Sequence, residues 1–269
     1  MPTLYQVARN VVTYFTPEEF LYLNPGKYHS VEHALRVAAV MVELSRAFGR
    51  EPEEVRFLEQ VALVHDADNR VDSSTGARDP LRPARVLVTL EWIWQSRQEL
   101  ERRLGWSEKR CHEAMALVAR TDYPFDREPR YHGTCYDGLS PYELYRDRLL
   151  EFPPAERARV MENALLLVFA DQTANYTGSF REAVGFQKGL MEELHSVGVE
   201  ADPQSLNTSR FLRSVGKDLK LDRRMAVELG VEPRLPPRER IIRWLPRDLR
   251  RNLEMNEQRF RRILGCPSE

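Results

Sequence analysis

Apolar residues recur every three or four positions along most of the chain, the spacing that gathers them on one side of an α-helix. Leu4, Val7, Ala8, Val11, Val12 and Phe15 set this rhythm over residues 4–15. "NPGK" at 24–27 reads as a turn, after which helical spacing resumes from about Ser30 to Phe48. Another helix is predicted from Glu53 to about His65, with Pro52 at its mouth, where the missing N–H would be unsatisfied anyway. "NRVDSSTGARDPLRP" (69–83) is crowded with turn formers and reads as a loop. Further helices are expected near 84–103, 107–120, 141–150, 155–176 and 179–196. Apart from weak candidates, no period-two run between turns marks a strand, so the predicted fold class is all-α.

Beyond about Ala201 the pattern changes to short helices broken by Pro and Gly. We therefore divide the chain into a domain over 1–200 and a helical, Arg-rich extension over 201–269 packed on it. Residues 234–262 hold ten Arg against four Asp or Glu. Within the same stretch Ile241, Ile242, Leu245, Leu249 and Leu253 fall at amphipathic spacing. That pairing predicts helices docked on the domain with solvated arginines outside, rather than a tail for RNA.

The bulk composition narrows the function classes. With 42% apolar and 30% charged residues the chain is an ordinary globular sequence. Its formal net charge of −1 gives no general reason for it to seek nucleic acid or an anionic membrane. Three cysteines, Cys111, Cys135 and Cys266, show no CxxC spacing, which argues against a disulfide framework or a thiolate zinc site. No apolar run approaches the roughly 20 residues of a membrane span, and the N-terminal stretch lacks the basic start of a signal peptide. The expected location is cytoplasmic.

Three places put ionisable groups where apolar ones are expected. His33 shares a helical stripe with Val37, Val40 and Leu44, and His29 is placed one turn earlier on the same face. "FLEQVALVHDAD" drives an apolar helix into His65–Asp66. "NALLLVFADQTANY" runs through seven consecutive apolar residues, Ala164 to Ala170, and ends in Asp171. A buried unpaired carboxylate costs several kcal/mol or takes up a proton, so Asp66 and Asp171 call for a shared cation. Neutral imidazoles are the preferred nitrogen ligands of divalent transition metals. One ion held by His33, His65, Asp66 and Asp171 would satisfy all four groups, and an ion so held activates water as a nucleophile near neutral pH.

The order His … His-Asp … Asp, with "HD" closing an apolar helix, resembles the HD-domain superfamily of metal-dependent phosphohydrolases. "YHSVEHA" (28–34) further resembles the "YHNxxHA" box of the branch that includes cyclic-nucleotide phosphodiesterases, and the resemblance spans roughly residues 20–200. It implies a phosphodiesterase-like helical bundle in which His33, His65, Asp66 and Asp171 bind the metal. It also implies that His29 protonates the leaving oxygen and that a nucleotide or related small phosphorylated molecule is the substrate. Two departures stand out: Ser30 replaces the Asn of the box, and "HDADNRVDSSTG" lacks the further His of the cyclic-nucleotide enzymes. A single ion, or a second one held only through Asp66 and water, is the expectation in place of a fully liganded pair, and cyclic nucleotides are not implied.

Two nitrogen and two oxygen ligands with open water positions suit Mn²⁺, Fe²⁺, Co²⁺ or Ni²⁺, with Mg²⁺ and Zn²⁺ as further options. A transferring phosphoryl group needs positive charge around it. Lys27, Arg36, Arg70, Arg78 and Arg120 lie near the motifs, and Lys27 and Arg70 are the chosen substrate contacts. Asp122, at the end of "VARTDYPFD", and Asn175, four residues after Asp171, are predicted to line the same pocket. Two rival expectations are a catalytically inactive HD domain serving as a nucleotide-binding or interaction module, and a helical interaction protein with structural histidines. A homo-oligomer is compatible with the sequence.

Overall fold

The computed structural model describes residues 4–24, 26, 28–67, 85–122, 125, 136, 138–196 and 219–263, and they form helices with no strand. In chain order these are α1 (Leu4–Tyr14), α2 (Pro17–Leu23), α3 (Val31–Ala47), α4 (Pro52–Val64), α5 (Arg85–Gln95) and α6 (Arg97–Leu104). They continue with α7 (Glu108–Ala119), α8 (Pro141–Leu150), α9 (Pro154–Ala174) and α10 (Phe180–Ser196). The last of the described helices are α11 (219–228), α12 (Arg238–Trp244) and α13 (Arg247–Ile263).

The helix starts follow local chemistry. The Ser30 hydroxyl accepts from the His33 N–H at 3.3 Å, so α3 begins at Val31 and His29 lies in the preceding loop instead of on the helix face. Two other sequence expectations need correction. The helix expected near 84–103 is two, separated at Ser96, and with no Pro or Gly at the break the periodicity runs straight through it. The short α2 went unpredicted, although Thr16 and Glu19 form a reciprocal capping box at its start.

α3 is the central helix, with α1, α4, α9 and α12 packed against it, while α7 joins α9 to α5 and α8. The run Ala164 to Ala170 on α9 is between 0 and 2% exposed at every residue. Burying each of its larger side chains contributes about 1.5–3 kcal/mol. That burial fixes where the helix, and so Asp171 at its end, must lie.

A dense polar network sits upstream on α4, α7 and α9. Arg159 reaches Glu54 at 2.5 Å and Glu113 at 2.5 and 3.0 Å. Arg110 pairs with Glu54 at 2.8 Å and Glu113 at 2.9 Å, and the Asn163 amide donates to Glu54 at 2.6 Å. Arg50 donates to Asn163 at 2.8 Å and to Glu162 at 2.8 Å, and Arg234 also binds Glu162.

The described part of the extension packs on the rest of the chain. Asp222 of α11 receives a bidentate pair from Arg120, at 2.9 and 2.8 Å, with both residues buried. Trp244 of α12 stands edge-on to Phe48, ring centroids 5.3 Å apart, and α13 buries Leu253, Asn256 and Phe260. The boundary expected at residue 200 falls outside the described residues. No helix among them is long and apolar enough to cross a membrane.

Candidate metal centre

Three helices each deliver ionisable groups at one end. His33 stands in the first turn of α3, His65 caps the C-terminus of α4 with Asp66 next to it, and Asp171 lies in the last turn of α9. One ligand atom from each of these four side chains lies within 4.8 Å of all the others. His33 Nε2 is 3.2 Å from Asp66 Oδ2 and 3.1 Å from Asp171 Oδ1. His65 Nε2 is 3.1 and 3.5 Å from the same two oxygens. Both imidazoles are fully buried, and the Asp66 and Asp171 side chains are 10% and 21% exposed.

These distances have a plain geometric meaning. Two atoms each about 2.1 Å from one ion lie about 3.0 Å apart at right angles and about 3.4 Å apart at the tetrahedral angle. Three of the four contacts, at 3.1, 3.1 and 3.2 Å, fall in that range, and the fourth, at 3.5 Å, lies just beyond it. They are not aligned as hydrogen bonds: His33 Nε2, His65 Nε2 and Asp66 Oδ2 are buried and without a hydrogen-bond partner. Such atoms are uncommon in native proteins, and here three of them converge with Asp171 in a group that could hold an ion.

The far side of each ring is already engaged. His33 Nδ1 lies 3.1 Å from Asn175 Oδ1, and His65 Nδ1 lies 2.7 Å from the Ala62 carbonyl. Both partners are acceptors, so each Nδ1 carries its hydrogen and each Nε2 turns a lone pair toward the cluster when the ring is neutral. This is the usual outer support of a metal-ligating histidine. Without a cation the cluster must balance itself with protons. Burial opposes an imidazolium, and the adjacent Asp171 and Asp66 carboxylates outweigh it, raising His33 to about 9 and holding His65 well above its ordinary value. Burial likewise opposes ionised carboxylates, yet the facing imidazoles hold Asp171 at about 2 and Asp66 well below the usual range. The four residues can hold a divalent ion, which would replace those protons.

His29 flanks the cluster, with Nε2 3.9 Å from Asp66 Oδ2 and a side chain 23% exposed. Its Nδ1 lies 2.6 Å from Glu193 Oε2 on α10. Glu193 Oε1 accepts from the backbone N–H groups of Tyr28 at 2.6 Å and His29 at 3.2 Å, which fixes the loop that carries the imidazole. Gly26 makes room for this, since a Cβ there would stand 2.5 Å from Glu193 Oε1. Tyr28 packs on both histidines, its ring centroid 4.7 Å from that of His29 and 5.1 Å from that of His33.

The other predicted contacts are placed differently. Asn175 reaches the site, where it orients His33. Asp122 is buried just past α7 and supplies no atom to the four-group cluster. Arg36 is bound to Glu32 and Glu182, and Arg120 to Asp222. Lys27, Arg70 and Arg78 lie outside the described residues. Tyr176 packs against Phe260 and donates its hydroxyl to Gln187 at 2.9 Å. Glu193 went unpredicted, because in "MEELHS" nothing distinguishes it from a solvent-facing helix glutamate. No protein-family model, curated protein or solved structure matches the chain.

Proposed function

We propose that the chain is a metal-dependent phosphohydrolase that cleaves a phosphate ester, of a nucleotide or related small molecule, by activated water. The observation that carries this reading is the set of orphaned buried atoms of His33, His65 and Asp66 that converge with Asp171, beside an imidazole at the site's edge. The motif order and the "YHSVEHA" context support a place in the HD-domain superfamily. Two imidazoles, two carboxylates and no thiolate suit Mn²⁺, Fe²⁺, Co²⁺ or Ni²⁺.

A divalent ion in this site would supply Lewis acidity and water activated near neutral pH. Asp66 and Asp171 supply the negative charge, and His33 and His65 complete the set as neutral donors. His29 acts as the general acid. Glu193 accepts its Nδ1–H, so the proton available for transfer is the one on Nε2, which goes to the leaving alkoxide as the P–O bond breaks. The partly exposed His29 side chain keeps that atom within reach of a substrate.

The test is a screen of nucleotides and simple phosphoesters with Mn²⁺, Mg²⁺, Co²⁺ and Ni²⁺ added separately. At least one combination should turn over, and Asp66→Ala should abolish it. Stoichiometric metal binding without turnover of any ester would overturn the hydrolase in favour of a binding module.

A further inference from the structure

The C-terminal helix α13 docks on the short connector that joins α9 to α10. Asn256, 3% exposed, donates its side-chain amide to the carbonyls of Tyr176 at 2.8 Å and Gly178 at 3.0 Å. One turn earlier on α13, Asn252 donates to the Thr177 carbonyl at 3.0 Å. Three successive carbonyls past the end of α9 therefore receive their donors from a segment some 80 residues away. Phe260 closes the contact, with ring centroids 5.9 Å from Tyr176 and 5.2 Å from Phe180.

What lies on either side of this connector gives the contact its meaning. Immediately upstream, Asn175 holds Nδ1 of His33 and Asp171 faces both metal-site imidazoles. Downstream, α10 starts at Phe180 with its first turn fixed by Ser179 and Glu182, and it carries Glu193 to His29. Glu182 also binds Arg36 of α3, and a Cβ on Gly178 would collide with that Arg36 guanidinium at 2.6 Å. The connector is thus bounded by Arg36 and Glu182 on one side and by the amides of α13 on another.

Building on the phosphohydrolase reading, we propose that α13 is a positioning element of the metal site, with Asn256 and Asn252 setting the relation between the ligand end of α9 and the Glu193 end of α10. Losing the Asn256 amide removes its bonds to the Tyr176 and Gly178 carbonyls and lets the connector shift, which moves Asp171, Asn175 and the Glu193–His29 pair relative to α3. Outer supports of this kind typically govern about 10- to 100-fold in metal affinity.

The test compares full-length wild type, Asn256→Ala, the milder Asn252→Ala and a control, Trp244→Leu, at the far end of α3. Mn²⁺ affinity is measured by competition with a fluorescent chelator, and the His33 and His29 ring signals are followed by NMR in metal-free protein. Asn256→Ala should weaken Mn²⁺ binding roughly tenfold and shift both ring signals, and Asn252→Ala should do the same to a smaller degree. Trp244→Leu should lower the melting temperature while leaving both readouts unchanged. Wild-type binding with both Asn variants within twofold of it and unshifted rings overturns the positioning role alone. A wild type that binds no Mn²⁺ overturns the metal reading and the proposal built on it. Equal loss in Trp244→Leu reduces the effect to stability and also overturns the role.

Discussion

The cluster around Glu113 and Asn163 and the cluster around His33 and Asp66 share helices α4 and α9, yet only the first closes on itself. In the first, the carboxylates of Glu54, Glu113 and Glu162 meet the guanidiniums of Arg50, Arg110, Arg159 and Arg234, with Asn163 bridging between them. In the second, carboxylates meet imidazoles at ligand spacing, and three buried atoms keep unused bonding capacity. A satisfied polar network orients helices, whereas an unsatisfied one of this composition could hold an ion. Burial and charge density do not separate the two; completeness of partnering does.

The sharpest way to break this contrast is Asp66→Ala. It should remove metal retention and hydrolysis together, checked by elemental analysis of purified protein and turnover of the best ester. A variant that keeps stoichiometric, tightly bound metal would sink the four-residue assignment. His29→Ala should come next. It should lower kcat by about 10²–10⁴-fold on unactivated esters while metal content stays near wild type. An ester with a good leaving group, such as p-nitrophenolate, should recover most of that loss. Equal losses on both ester types would remove His29 from the acid role.

The other cluster should answer in stability and not in chemistry. Glu113→Ala strands parts of Arg110 and Arg159, and breaking a buried pair from one side costs about 3 kcal/mol, read from denaturant unfolding. Mn²⁺ affinity should be unchanged, and a loss of metal would show that the clusters are not independent. The smallest effect is acid sensitivity. Burial alone would raise Glu54, but Arg110 and Arg159 outweigh it and hold the carboxyl below its ordinary value of 4.5. A depressed folded value stabilises the protein above the unfolded value, and that contribution is lost as the pH falls through the folded one. Stability should therefore decline as the pH drops below about 4.5, and the slope should lessen in Glu54→Gln.

Much of this contrast is legible in the sequence, for a definite reason. His33, His65, Asp66 and Asp171 each interrupt or end an apolar stripe, so their burial follows from periodicity, and four charged or metal-binding groups on buried faces must converge or be neutralised. Helix bounds are legible where local chemistry marks them, as at 141–150, where Ser140, Pro141 and Glu143 open the observed helix Pro141–Leu150. What stayed hidden depends on tertiary approach. Glu193 looks like any surface glutamate until α10 brings it to the loop at Tyr28 and His29. The sequence puts Asn175 at the site as a substrate contact, because spacing fixes a face and not a partner. Arg36 and Arg120 stand near the motifs as candidate phosphate cations, but the fold commits both to carboxylates.

Gly26 and Glu193 lie 167 positions apart in sequence, yet the carboxylate occupies the space a side chain at position 26 would need. The His29 carbonyl oxygen closes the same space from the backbone side, 2.9 Å from where that Cβ would stand. Shortening the acid alone therefore does not open position 26. In related chains that keep this loop, glycine should persist there even where the acid at the second position has changed.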